Sequence, residues 1–175
     1  LPSMQKILFR NLLAFFIVGA GLIRKPEKLE IHKGDIKFLF LRSFCGTIGI
    51  VCNFYAIDHL VLSDANMLNK LSPFFAIIFS YFILKERLTL FQGIAVVVAF
   101  IGALFIIKPT GNMTDPAALI GMLGGAGAGA AYTYVRVLGK RGVNGKLVVM
   151  FFSAFTCLVA LPFVIRNFAP MKWWQ

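Results

Sequence analysis

Asn66, Asn69, Lys70 and Pro73 stand three and four residues apart inside a long apolar run. On a helix that spacing puts them on one face, and Ile77 and Ser80 continue the stripe. Two amides and an ammonium are groups that can hold a polar or anionic solute. Inside hydrocarbon they are costly unless they face a bundle interior or a wet cavity. Lys70 lies about seven residues inside the run, or about 10 Å deep at 1.5 Å per residue. From that depth its ammonium could also extend to the headgroups along its own methylene chain, so a polar cavity and a snorkelling anchor are both open. A second run places Gly49, Cys52, Asn53 and Ala56 on one face with Tyr55 beside it, at a depth where Asn53 could match Lys70. A third run sets Tyr132 and Arg136 beyond a glycine-rich stretch. Tyr132 reads equally as a lining residue or an interface anchor. Arg136 and Arg42, near the ends of their runs, read as snorkelling cations. The candidate substrate-binding set is therefore Lys70, Asn66, Asn69, Asn53, Tyr55 and Tyr132.

Other chemistries find little support. No run interior holds a carboxylate; Asp58, Asp64 and His59 lie at run ends, and His32 and Glu86 lie in connectors. A proton-coupled carrier normally uses a buried acid or histidine, so coupling through these residues is not expected. No H-E-x-x-H or G-x-S-x-G occurs, and Asp58-His59 is the sole adjacent acid–imidazole pair. The three cysteines, Cys45, Cys52 and Cys157, all fall inside apolar runs. Their odd number and the lack of C-x-x-C argue against a disulfide framework or a zinc site. The expectation is a non-enzyme with no catalytic residues, no bound metal and no cofactor.

The elements that carry these residues must live in lipid. The 175-residue chain is 59% hydrophobic and only 14% charged, against roughly 25% charged residues in soluble domains. A span needs about 20 apolar residues. Six runs qualify, at about 7–23, 38–57, 63–84, 90–107, 117–137 and 147–165. Backbone groups in lipid must be satisfied internally, and the runs lack the polar alternation of barrel strands. The fold class is an all-α integral membrane protein, a polytopic helical bundle with six transmembrane helices. The formal charge of +11 does not signal nucleic acid, because the basic residues sit in short connectors rather than in a basic-aromatic stripe.

Local signals mark the helix ends. Thr89 with Gln92 forms a capping box for the fourth span. Asp115-Pro116 reads as the cap and first residue of the fifth. Ser63 or Asp64 can cap the third and Asn144 the sixth. The basic residues set orientation. Arg24, Lys25, Lys28, Lys33, Lys37, Lys85, Arg87, Arg136, Lys140, Arg141 and Lys146 lie on one side, eleven against the five of Lys6, Arg10, Lys108, Arg166 and Lys172. The first set should face the cytoplasm, leaving Leu1 and Gln175 outside. Leu1-Pro2-Ser3 is no plausible initiator, so an odd number of spans is expected to precede it. Asn112-Met113-Thr114 matches a glycosylation pattern, too close to the membrane to persuade.

Gly121, Gly125 and Gly129 form a doubled G-x-x-x-G, which lets two backbones approach closely; a second copy of the chain is one partner such a face could take. Gly124 and Gly127 widen the smooth face. A phosphate-loop reading fails, since no strand precedes the glycines and no Lys-Ser/Thr follows. Pro73 and Pro162 inside spans allow kinks.

Taken in order, Phe54-Tyr55-Ala56-Ile57, Asp64-Ala65-Asn66, Leu71-Ser72-Pro73-Phe74, Leu84-Lys85-Glu86-Arg87-Leu88-Thr89, Gln92-Gly93, Gly102 and Lys108-Pro109 resemble EamA-type carriers of the drug/metabolite transporter superfamily. Tyr132-Thr133-Tyr134-Val135-Arg136 resembles the sixth helix of such carriers. The resemblance implies ten spans in two inverted five-helix repeats, with these six being helices two to seven. Residues 1–109 would then be the first repeat without its first helix, and 110–175 the start of the second. It implies substrate near the midplane between repeats, drawn from amino acids, nucleotide sugars, other metabolites and drugs. It also implies that Glu86 and Thr89 shape a tight cytoplasmic turn.

The expected function is a secondary transporter in the cytoplasmic membrane, moving a small solute by alternating access, in the direction of export. Its partners are that small molecule and the lipid bilayer. The alternative is a non-transporting accessory subunit or scaffold.

Overall fold

The computed structural model describes residues 3–24, 34–85, 89–107 and 116–166. Seven helices occupy these residues: α1 (Ser3–Arg24), α2 (Asp35–His59), α3 (Leu62–Asn69), α4 (Ser72–Leu84), α5 (Leu90–Ile107), α6 (Pro116–Lys140) and α7 (Gly145–Arg166). No strand appears among them. Four stretches are long and apolar enough to cross a membrane: Asp35–His59, Leu62–Leu84, Pro116–Lys140 and Gly145–Arg166. The chain is an all-α membrane helical bundle, as its composition requires. Asp115, Glu86, the Asn112 glycosylation pattern, Leu1 and Gln175 lie outside the described residues.

The third expected span is long and apolar enough to cross, but it is not one continuous helix. It is two helices, α3 and α4, broken at Lys70–Leu71. Pro73 stands at the start of α4, where its missing N–H is tolerated. Both break residues keep right-handed backbone angles, with Lys70 at φ −68, ψ −8 and Leu71 at φ −72, ψ −13. The Leu71 amide donates to the Leu68 carbonyl at 3.2 Å and the Phe74 amide to the Leu71 carbonyl at 3.0 Å. These are tightened three-residue steps. The single stripe expected from Asn66 to Ser80 therefore turns: Asn66, Lys70 and Pro73 are exposed, Asn69 is half-buried and Ser80 is buried. Nor do Ser63 or Asp64 cap α3. The helix begins one residue earlier, after Val61, without a side-chain cap.

The other local signals hold. The Thr89 amide donates to Gln92 Oε1 at 3.1 Å and the Gln92 amide to Thr89 Oγ1 at 3.4 Å, the reciprocal pair of a capping box. α6 begins at Pro116. Asn144 Oδ1 accepts from the Lys146 amide at 3.0 Å and so caps α7.

The chain divides into two compact units, residues 1–44 with 138–175, and residues 45–137. In the first, α1 packs along α7. Asn11 Nδ2 donates to its own Ile7 carbonyl at 2.8 Å, which lets a buried amide sit in an apolar seam. Leu39, Leu138, Val143, Leu147 and Val148 form the core. α6 closes there on Gly142, at φ +78. The Val143 amide reaches the Leu138 carbonyl and the Gly142 amide the Gly139 carbonyl, each at 3.1 Å. This is the paired-bond ending that glycine permits, and it brings Leu138 and Val143 into that core.

Two arginines of this unit are held by rings. Arg42, expected to snorkel, instead places its guanidinium 3.8 Å from the Phe152 ring centre. Arg141 lies 4.4 Å from that of Phe38 and donates to Asp35 Oδ1 at 3.1 Å. The Asp35 side chain is only 3% exposed against 47% for Arg141, so the ion pair anchors the start of α2 to the α6–α7 turn.

In the second unit, Leu68, Leu71 and Ala118 make the core, with Phe74, Phe75 and Ala99 against it. Phe75 meets Phe100 of α5 edge-on at 5.0 Å. The opposite face of α5 is bare, with Phe91 87% and Val98 61% exposed. In a membrane helix such a face meets acyl chains.

Candidate functional site: a polar cleft on α6

The second unit is organised by the glycines of α6, which serve two neighbours rather than one. A Cβ added to Gly124 would lie 3.0 Å from the Asn53 amide nitrogen, and one on Gly127 would lie 3.0 Å from the Cys45 carbonyl. α2 answers with Gly49, whose added Cβ would sit 2.8 Å from the Ala128 nitrogen. On another face, an added Cβ on Gly125 would lie 2.8 Å from the Leu68 carbonyl, and one on Gly129 2.7 Å from that of Ser72. Gly121 touches both neighbours, at Leu68 and Ala56. Thr133 extends the second face, donating to the Ala76 and Gly129 carbonyls at 3.2 and 3.0 Å. The pairings give directions: α2 runs antiparallel to α6, and α3–α4 runs parallel to it.

At about 100° per residue these two faces of α6 are roughly 130° apart. Between them lies Tyr132, 56% exposed. α2 and α3–α4 both meet α6 at Gly121, and Tyr132 projects from α6 between the two faces they cover. Asn53 of α2 and Asn69 of α3 are half-buried on the helices that cover those two faces. Gly124 and Gly125, adjacent in α6, contact Asn53 and Leu68 respectively, which sets Asn53 and Asn69 at one level. Asn53 Oδ1 is buried and has no hydrogen-bond partner among the described residues. Such an acceptor carries a desolvation cost.

The remaining candidates are placed less centrally. Asn66 and Lys70 are exposed, on the side of α3 turned away from α6. Tyr55 lies on the flank of α2 opposite Asn53, where its ring stacks on His59 at 4.1 Å. His59 Nδ1 lies 2.9 Å from the Tyr55 carbonyl.

Sequence reasoning missed one pair. Arg136, expected to snorkel, lies one turn beyond Tyr132 and donates through Nη1 to Ser80 Oγ at 3.5 Å. Ser80 is 6% exposed. The two residues are 56 positions apart, and no local pattern links them; the one available signal was that Ser80 is the lone polar residue in the apolar second half of α4.

Polar side chains, Asn53, Asn69 and Tyr132, thus stand on three apolar helices that meet at α6. The EamA-like transporter family matches residues 1–108, and the chain belongs to that family. It is 31% identical over 169 residues to the pseudopaline exporter CntI of Pseudomonas aeruginosa, a match covering 96% of this chain and 58% of the relative. It is 28% identical over 144 residues to the uncharacterized membrane protein YMR253C of Saccharomyces cerevisiae, covering 71% and 34%. To mouse solute carrier family 35 member G1 it is 29% identical over 101 residues, covering 58% and 27%. The chain thus spans about three-fifths or less of these relatives' lengths. No solved structure matches it.

Proposed function

We propose that this chain carries the solute path of a secondary transporter that exports a small polar metabolite by alternating access. The observation that supports the reading is the packing of α2 and α3–α4 on two faces of α6, with Asn53, Asn69 and Tyr132 among otherwise apolar side chains; on this reading the three line one cleft. Amides and a phenol both donate and accept, and so can replace the water that a polar solute leaves behind. On this reading the exposed Asn66 and Lys70 lie outside the opening, where an ammonium draws a carboxylate or phosphate toward it. Family membership supports transport, and the Pseudomonas relative, an exporter by name, supports the outward direction. On this reading residues 1–109 belong to a first repeat and 110–175 begin a second, with the α2, α6 and α7 ends that carry Lys37, Lys140 and Lys146 on the cytoplasmic side of the cell membrane.

The test is metabolite profiling of medium from cells producing the full-length protein, its Lys70→Gln and Asn69→Leu variants, or neither. A solute class that accumulates only with the wild type, and less with both variants at equal protein level, is the expected result. Profiles identical to the empty control would remove export. Normal export by Lys70→Gln alone would make Lys70 a headgroup anchor and leave the cleft intact.

A further inference from the structure

We infer that Lys6 and Arg10 of α1 form a two-cation site at mid-membrane depth for the carboxylate, phosphate or sulfonate of the transported solute. The inference rests on the transport reading above and adds to it a pair of residues and a class of ligand. It makes no use of the residues on α6.

Depth comes first. The Cys157 thiol of α7 donates to the Leu8 carbonyl of α1 at 3.9 Å, along the seam where the two helices pack. Cys157 stands twelve residues after Gly145 and nine before Arg166, the two ends of α7. At 1.5 Å per residue it is about 18 and 13 Å from those ends. Lys6 and Arg10 lie two residues either side of Leu8, so both leave α1 within about 3 Å of that level, whichever way α1 runs. α7 is long and apolar enough to cross a membrane, and a hydrocarbon core is about 30 Å thick. Both cations therefore stand near its middle. Snorkelling serves cations near the ends of a span, not at this level.

The partners of the pair come next. Neither Lys6 nor Arg10 has a hydrogen bond or ion pair among the described residues. Both are exposed. Four residues apart, they share a face, where like charges repel; an oxyanion lying between them turns that repulsion into two attractions. α1 has no acidic residue. Among the described residues of the unit that α1 and α7 share, the one carboxylate is Asp35, 3% exposed and 3.1 Å from Arg141. An unpaired charge deep in a membrane is costly, and such residues face a watery path and mark the route of a substrate. Phe9 and Leu13, 40% and 62% exposed, flank the pair on the same face. Apolar flanks lower the local dielectric and strengthen the pull on an anion.

The first experiment needs no knowledge of the substrate. The full-length protein, with its cysteines replaced by alanine and carrying Leu13→Cys, is placed in phosphatidylcholine vesicles. It is reacted with two impermeant methanethiosulfonates of similar size, one ending in a sulfonate and one in a quaternary ammonium. The sulfonate reagent should react several-fold faster. Adding Arg10→Gln should cut the ratio of the two rates roughly fivefold. Lys6→Gln, seven residues from the thiol, should cut it less, and Arg10→Lys should keep most of it and serve as the folding control. A thiol that neither reagent reaches, or one without charge preference, overturns the inference. So does a preference abolished by phosphatidylglycerol in the vesicles, since a lipid phosphate would then occupy the pair. In cells, whatever solute class the wild type exports should leave several-fold more slowly with Arg10→Gln and mostly recover with Arg10→Lys. Export unchanged by Lys6→Gln and Arg10→Gln together overturns the inference alone, whereas no export by the wild type removes the transport reading beneath it.

Discussion

Lys70 and Arg136 are both cations on apolar helices, and their surroundings hold them differently. Lys70 is exposed beside a helix break, whereas Arg136 has one Nη on the buried Ser80 hydroxyl. Neutralising Lys70 should lower flux with little change in stability, because no buried group loses a partner. Asp35 is the opposite case. Its buried carboxylate meets Arg141 at 3.1 Å, and Arg141 is nearly half exposed, so solvent screening discounts the pair. Asp35→Asn should destabilise by about 1–2 kcal/mol, read as a lower unfolding midpoint in detergent, with transport specificity unchanged. The residues whose partners are local were legible in advance: Thr89 with Gln92, and Asn144 with the start of its own helix. Those with distant partners were not. Arg42 meets Phe152, and Arg136 meets Ser80, only because packing brings separate helices together. Taken alone, each arginine looks like any other cation near a span end.

At the scale of elements, α6 is the organising helix, and its glycines are not equivalent. An added Cβ on Gly129 would lie 2.6 Å from Phe75 Cβ, 2.7 Å from the Ser72 carbonyl and 2.9 Å from the Ala76 nitrogen. Two of these atoms are backbone and cannot step aside. Gly129→Ala should therefore cost about 1–3 kcal/mol, measured as thermal unfolding in detergent. Gly139, with nothing within 4 Å of an added Cβ, should accept alanine with no loss. Thr89→Ala should remove the capping box and about 1 kcal/mol. The doubled G-x-x-x-G was visible in the sequence, but its division between two neighbours was not, since the motif announces close approach without saying how many helices approach. Pro73 likewise announced a disturbance without giving its place. The chain breaks just before the proline, where a helix start tolerates the missing donor, rather than bending through it.

Across the whole molecule, composition dictated the class, because so much apolar surface with so few charges can be covered only by lipid. The bare face of α5 and the floor of the proposed cleft should then report different solvents. A tryptophan replacing Val98 should be quenched by brominated lipid and ignored by iodide; one replacing Tyr132 should be quenched by iodide. Reversal of that pattern would mean that the cleft is a lipid-facing groove. What composition could not provide was the site, which depends on how three helices meet.

The proline at the head of α4 has one more consequence. Because Pro73 has no N–H, the Asn69 carbonyl four residues earlier loses the donor that a regular helix would give it. In dry hydrocarbon an unmet backbone group costs several kcal/mol, a penalty that one water molecule would relieve. The break before Pro73 is thus a place within the span where a single water molecule can be held before any solute arrives.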